Sequence, residues 1–255
     1  MIDVIGILTR TWLGLYSAPL VAAPAAGSAA AQVSAPAAQV DANTAVQNIQ
    51  KFYSEIHQVT ASFRQSVKQA TFGLSKDSDG TVWLSKPGKM RWDYLEAKKT
   101  GTVVKKSFIS NGKTLYDVEH DNKQVIKKDL KSDLMPVAVT FLYGTGDLSK
   151  EFSAALDTSG EYGTKGDIVL KLTPKAPSAQ YKNLYLVANP TDFHVKESII
   201  IDSSNNVNHF RFFKPDFEKP IKDTWFEFNE KSVPTYRVID ADQQAGSAAG
   251  KHDLQ

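Results

Sequence analysis

Short runs in which side chains alternate between apolar and polar fill the middle of this chain, and that period of two commits it to strands with one greasy face. In Lys89 to Tyr94, Met90, Trp92 and Tyr94 point one way and Lys89, Arg91 and Asp93 the other. Val59 to Lys68 behaves alike, with Val59, Ala61, Phe63 and Val67 on one side and Thr60, Ser62, Arg64, Ser66 and Lys68 on the other. Further strands are expected at Thr81–Lys86, Lys105–Ser110, Lys113–Val118, Gln124–Lys128 and Asp167–Thr173. Tyr181–Ala188, Val195–Asp202, Val207–Phe213 and Trp225–Phe228 complete the set. The expected class is therefore mostly β with short helices.

Turn signals fix how the strands pair. Asn111-Gly112 predicts a type I′ hairpin, which needs positive φ at both central residues and sets Phe108 against Leu115 on one face. Asp202 to Asn206 marks a second reversal and His120 to Lys123 a third, so sequence neighbours pair as an antiparallel meander.

Two segments follow a helical rhythm instead. Asn43 or Thr44 can cap a helix, and Val46, Ile49, Phe52, Tyr53 and Ile56 draw one apolar stripe, predicting an amphipathic helix over Thr44–His57. Leu134, Met135, Val137, Ala138, Val139, Phe141, Leu142 and Tyr143 form an almost unbroken apolar block, with Pro136 suited to a first turn and Gly144 to a stop. A helix greasy all round must be covered or must itself cover something. It is either a core helix or a lid over a curved sheet.

The ends differ from the middle. Ile2 to Val21 is largely apolar, holds Arg10, and runs into small residues from Ala22 to Ala31, the order of an export signal cleaved after Ala29-Ala30-Ala31. The expected organisation is a signal over 1–31, an Ala/Pro/Gln-rich linker over 32–42, a folded domain over 43–240 and a disordered polar tail over 241–255. A formal charge of +2 gives no basic field for nucleic acid, and the absence of cysteine removes disulfides, thiolate metal sites and a lipidated cysteine.

Catalytic patterns are missing. There is no H-E-x-x-H, no G-x-S-x-G and no P-loop, and Gly144-Thr145-Gly146 lacks the third glycine of a dinucleotide fingerprint. Asp77-Ser78-Asp79-Gly80 opens like a calcium loop, but Gly88 stands where the bidentate Glu belongs, so it reads as a polar turn. Neither a metal nor a cofactor is expected. Arg64 and Arg91, opposite the apolar faces of their strands, read as solvated.

Ile56–Arg64 (IHQVTASFR), Gly80–Tyr94 (GTVWLSKPGKMRWDY), Ile109–Tyr116 (ISNGKTLY), Leu170–Pro174 (LKLTP) and Val195–Phe212 together resemble the LolA family of periplasmic lipoprotein carriers, over about residues 45 to 240. The resemblance implies an incomplete antiparallel β-barrel whose apolar interior is closed by a helical lid, in a monomer that hydrolyses nothing. It also implies periplasmic location, acylated lipoproteins as cargo, an ATP-driven inner-membrane complex as donor and an outer-membrane acceptor. On this basis the acyl-chain cavity is expected at Phe63, Val82, Leu84, Met90, Trp92, Tyr94, Phe108, Leu115, Leu170 and Leu172. The lid is expected at Leu134, Met135, Val137, Val139, Phe141 and Leu142.

Two positions depart from the family pattern. Lys86 stands where family members carry an Arg before Pro that holds the lid through backbone carbonyls; it is the expected latch, with a flexible point charge in place of a rigid fork. Met90 replaces an aromatic and keeps the apolar character with a softer shape. A carrier of free lipid or glycolipid would need the same pocket, and an RseB-like envelope-stress sensor shares the fold with an added C-terminal domain. An exported hydrolase is a rival of another class.

Overall fold

The computed structural model describes residues 40–130, 146–177 and 181–243, so the expected signal segment and the lid residues Leu134 to Leu142 lie outside the described residues. Helix α1 spans Ala42–Glu55. Its cap is Asp41 rather than Asn43 or Thr44: the Asp41 carboxylate accepts from the backbone N–H of Asn43 at 2.9 Å and of Thr44 at 3.1 Å, so the helix starts earlier than the spacing predicts. Ala45, Val46, Ile49 and Tyr53 form its buried stripe.

The remaining elements build one sheet. Its strands are β1 (Gln58–Lys68), β2 (Ser75–Ser85), β3 (Lys89–Lys98), β4 (Gly101–Asn111), β5 (Thr114–Glu119) and β6 (Gln124–Asp129). After a helical turn at Leu148–Glu151 come β7 (Phe152–Leu156), β8 (Ile168–Pro174), β9 (Asn183–Ala188), β10 (Val195–Ile201), β11 (Val207–Asp216) and β12 (Arg237–Asp240). They form a 12-stranded sheet in the order β12-β6-β5-β4-β3-β2-β1-β11-β10-β9-β8-β7. β12 and β7 are its edges, so the sheet is open, as the mostly β, incomplete-barrel expectation requires.

Several local expectations need correction. Asp77–Gly80 is not a turn but part of β2, because the β1–β2 ladder continues down to Lys68 opposite Ser75 and Arg64 holds Asp79 in a bidentate pair at 2.7 and 2.9 Å. The Asn111-Gly112 reversal is not type I′. Gly112 has φ of 91° but Asn111 does not have positive φ, and the last paired residues are Ser110 and Leu115. The Asn111 carboxamide instead accepts from the N–H of Lys113 and of Thr114, an Asx turn that closes a longer loop. Phe108 consequently lies opposite Asp117 and only diagonal to Leu115.

The meander is also not antiparallel throughout. β12 pairs parallel to β6, with Val238 opposite Val125. Parallel pairing needs a crossover, and residues 217–236 supply it: Phe217 still packs on the inner cluster, and from Asp223 onward the segment straps the outer face of β2 to β6. Within it, Trp225 and Phe226 belong to a 3₁₀ turn, Asp223–Phe226, rather than to a strand. Phe226 is completely buried there, and Phe228 lies 5.1 Å from the Tyr116 ring. Arg91 is therefore not solvated: its guanidinium sits 4.7 Å above the Trp225 ring and its Nε donates to Asp93 at 2.9 Å. Asp93 is buried and also accepts from the Ser107 hydroxyl at 2.7 Å.

At Gly80 the sheet admits no side chain. A Cβ there would lie 2.3 Å from the Phe63 ring and 2.4 Å from the Asp93 carbonyl oxygen. Gly80→Ala is expected to cost about 1–3 kcal/mol by overpacking, seen as a lower urea midpoint at unchanged slope. A midpoint equal to wild type would show that the Phe63 ring can retreat.

Candidate functional site

The inner face follows from the register, because residues opposite each other on neighbouring strands share a face. Val82 lies opposite Ala61 and Trp92, Leu84 opposite Val59 and Met90, and Trp92 opposite Phe108. Phe63 faces Phe212 across β11, while Leu170 and Leu172 lie opposite Leu186 and Leu184. Phe63, Val82, Leu84, Met90, Trp92, Leu115, Leu170 and Leu172 are all buried in one cluster, with Tyr94 and Phe108 packed half-buried against it. Leu115 on β5 and Leu170 on β8 are far apart in strand order, so a shared cluster requires the sheet to curl upon itself. Ala45, Val46, Ile49 and Tyr53 of α1 enter the same cluster from the open side. The residues expected to line one cavity are thus brought together on one face.

The floor of this trough is aromatic. The Phe63 ring lies 5.2 Å from Trp92, 5.1 Å from Tyr94 and 5.9 Å from Phe210, and Trp92 lies 5.4 Å from Phe210. Phe210 and Phe212 were missing from the expected lining, as were Leu184, Leu186, Ala188 and Ile200. The signal for the first pair was present: in Val207–Phe213, His209 and Arg211 alternate with Phe210 and Phe212.

Among the described residues, little space is left where Tyr53 meets the floor. Between Tyr53, Val59, Ala61, Val82, Leu84, Val195, Phe212, Pro215 and Phe217 remains an apolar void of about 20 Å³. A wider opening of about 520 Å³ lies at the other end of β1, bounded by Gln65, Val67, Lys76, Tyr94, Lys106 and Phe108 among others. At this end the inner face turns polar. Lys106 Nζ sits 4.5 Å from the Phe108 ring centre and pairs with Asp117 at 3.0 Å and Glu119 at 3.4 Å. Asp117 Oδ1 is buried without a hydrogen-bond partner, and burial raises the carboxyl above its ordinary pKa despite the Lys106 bond. Burial, and then the Asp117 charge, likewise push the Tyr94 hydroxyl upward.

Lys86 follows Leu84 by two positions, at the end of β2, and its backbone N–H donates to the His57 carbonyl at 2.9 Å. Its ammonium is half-buried, which lowers its pKa. Among the described residues no group of His, Asp and Glu could hold a metal ion, and no helix is long and apolar enough to cross a membrane.

The family model described as Outer membrane lipoprotein carrier protein LolA matches residues 54–229, well over half of the chain. The chain belongs to the LolA family. Similar curated relatives include the outer-membrane lipoprotein carrier protein of Dechloromonas aromatica, 24% identical over 184 residues that cover 72% of this chain and 83% of that protein. That of Azotobacter vinelandii is 27% identical over 191 residues, covering 75% and 86%. With the Ralstonia nicotianae carrier the match is 29% over 146 residues, 55% of this chain and 63% of the relative, so there the chain spans less than two thirds of the relative's length. The crystal structure of a LolA superfamily protein from Nitrosomonas europaea aligns at a TM-score of 0.39 and 11% identity, covering 74% of this chain and 99% of that one.

The charged end of the trough in this LolA-family chain gives a pH test. A carboxyl whose pKa is raised by folding stabilises the fold while protonated, and that contribution is lost as pH rises through the folded value. Urea midpoints of the wild type relative to Asp117→Asn should therefore fall as pH rises from about 4. Midpoints that stay parallel across that range would mean that Asp117 is solvated when charged.

Proposed function

We propose that this chain is a non-catalytic periplasmic carrier that shields the acyl chains of lipoproteins and moves them from an inner-membrane, ATP-driven releasing complex to an outer-membrane acceptor. The observation that carries this reading is the continuous apolar inner face, floored by Phe63, Trp92 and Phe210, on a sheet that stays open at its edges. Each methylene withdrawn from water gains roughly 0.8 kcal/mol, so a curled greasy face of this extent suits acyl chains better than a polar substrate. In this reading Phe63, Val82, Leu84, Met90, Trp92, Tyr94, Phe108, Leu115, Leu170 and Leu172 contact the chains. Family membership supports the cargo class.

The gap of about 20 Å³ beside Tyr53 is far too small for an acyl chain, so cargo entering at that point must displace the side chains that pack there. Helix α1 occupies part of that space, and the apolar segment Leu134–Leu142 is the natural cover by sequence. Lys86 is the proposed latch, with its ammonium donating to carbonyls of that cover. Organic-solvent extraction of purified protein followed by mass spectrometry tests the cargo class directly. Recovery of triacylated peptide supports the reading, whereas free phospholipid or glycolipid alone would make this a lipid carrier with the same trough. Turnover that vanishes on mutating a polar trough residue such as Asp117 would make it a hydrolase.

Two variant series test the cover. Leu134→Asp and Phe141→Asp are expected to weaken retention of an acylated cargo more than they lower the melting temperature; loss of the fold with no separate effect on cargo would make the segment core. Lys86→Arg should slow, and Lys86→Ala should speed, exchange of a hydrophobic fluorescent probe. The size is about 1 kcal/mol each way, one net hydrogen bond, or roughly fivefold in rate. Wild-type exchange in both variants would place the latch elsewhere.

A further inference from the structure

The β1–β2 hairpin ends in a tip at residues 69–74 whose Phe72 and Leu74 are 73% and 62% exposed, the most exposed large apolar side chains among the described residues. Packing does not explain them. Nor is the tip left loose: the Gln69 N–H donates to the Leu74 carbonyl at 2.8 Å, and the Ala70 N–H donates to the Asn206 carboxamide at 2.9 Å. Asn206 is in turn held by Asp202, whose carboxylate accepts from the N–H of Ser204 and of Asn206 at 2.8 Å each. Pairing between β2 and β3 extends only to Asp79 opposite Leu95, so the tip lies beyond the last β2–β3 pair.

Charge and free space at the same pole narrow what the tip can meet. Lys68 and Lys76 flank it, both exposed, with Asp77 beside them; two lysines against one aspartate leave +1 over 68–77, while Arg64 and Asp79 neutralise each other in their bidentate pair. The opening of about 520 Å³ begins at Val67 and Lys76, next to the tip, and ends on the Tyr94 and Phe108 rings that pack against the apolar cluster. Two apolar side chains on a convex turn offer far less area than a stable protein interface buries, but they suffice for reversible partition into a bilayer surface.

We propose that this tip is a membrane-docking wedge: Phe72 and Leu74 enter the interfacial zone of a lipid bilayer, Lys68 and Lys76 meet anionic headgroups, and the adjoining opening is thereby turned toward the lipid. Docking needs no cargo. That acyl chains then pass over Tyr94 and Phe108 into the trough rests on the carrier reading; the wedge itself does not.

The chain has no cysteine, so Thr71→Cys gives a single attachment point for a polarity-sensitive fluorophore on the tip. Cargo-free protein is mixed with phosphatidylcholine vesicles with and without phosphatidylglycerol. The expected result is a blue shift and co-sedimentation, stronger with phosphatidylglycerol. In unlabelled protein, Phe72→Ser combined with Leu74→Ser should lower the partition coefficient at least about tenfold, ~1.4 kcal/mol. The melting temperature and uptake of a soluble acyl probe should be unchanged, because both side chains are exposed. Partition of the double variant equal to wild type overturns the proposal, as does a wild type that takes up the probe but ignores both kinds of vesicle. Loss of docking only on membranes that carry proteins, with vesicle binding intact, would assign the tip to a protein partner and also overturn it. Failure of the wild type to take up the probe, with vesicle docking intact, counts against the carrier reading alone.

Discussion

An apolar face that runs across a sheet this wide must be removed from water, and closing it dictates the rest of the molecule. Flat, the face would expose every residue from Leu115 to Leu172. Curling brings those two into one cluster, and α1 fills the mouth with Ala45, Val46, Ile49 and Tyr53. Tyr53 also reaches the far wall: its hydroxyl accepts from the buried Val195 N–H at 3.0 Å, tying the helix to β10.

Curling leaves an outer face, and two loops plate it. On the β8–β11 half, Tyr162 of the β7–β8 loop packs over Val169, Val187 and Ile199 as a second apolar cluster. On the β2–β6 half, the strap over 223–236 buries Phe226 and caps Arg91 with Trp225. Asp93, Arg91 and Ser107 make a polar network beneath that strap in which each buried group has a partner, the condition under which burial of charge is tolerated. The wall of the trough is thus packed from outside as well as from within.

How much of this was legible depended on whether the signal was local. Met90, Trp92 and Tyr94 announced their face by alternation, and Phe210 and Phe212 carried the same signal without being placed in the site. Asp41 was lost because a cap lies outside the stripe it starts, and Asn43 and Thr44 have equally suitable side chains. Asn111-Gly112 marked a reversal correctly but not its geometry, since the Asn111 carboxamide chose an Asx turn over positive φ. The strap and β12 were illegible for a different reason. Trp225, Phe226 and Phe228 are apolar because they meet the outer face of a sheet formed some hundred residues earlier, and no period within 217–240 reports that partner. Arg91 was misjudged by the same omission: alternation gives the side of the sheet and not what lies over it.

A carrier must also let go, and the packing of the trough beneath α1 bears on that. Several acyl chains delivered to an empty apolar cavity would gain, at roughly 0.8 kcal/mol per methylene, tens of kcal/mol and would not leave. Beneath α1 the apolar gap between Tyr53, Val82, Leu84, Phe212 and Phe217 is about 20 Å³, so side chains already cover that part of the floor. Cargo that entered at that point would exchange one set of contacts for another, and the net gain would be the difference between them. There it would depend on how well Tyr53, Phe212 and Phe217 pack against Val82 and Leu84 when no cargo is present. Met90, unbranched and polarizable, can pack against either occupant. Tighter self-packing would weaken cargo binding without touching a single contact that the cargo makes.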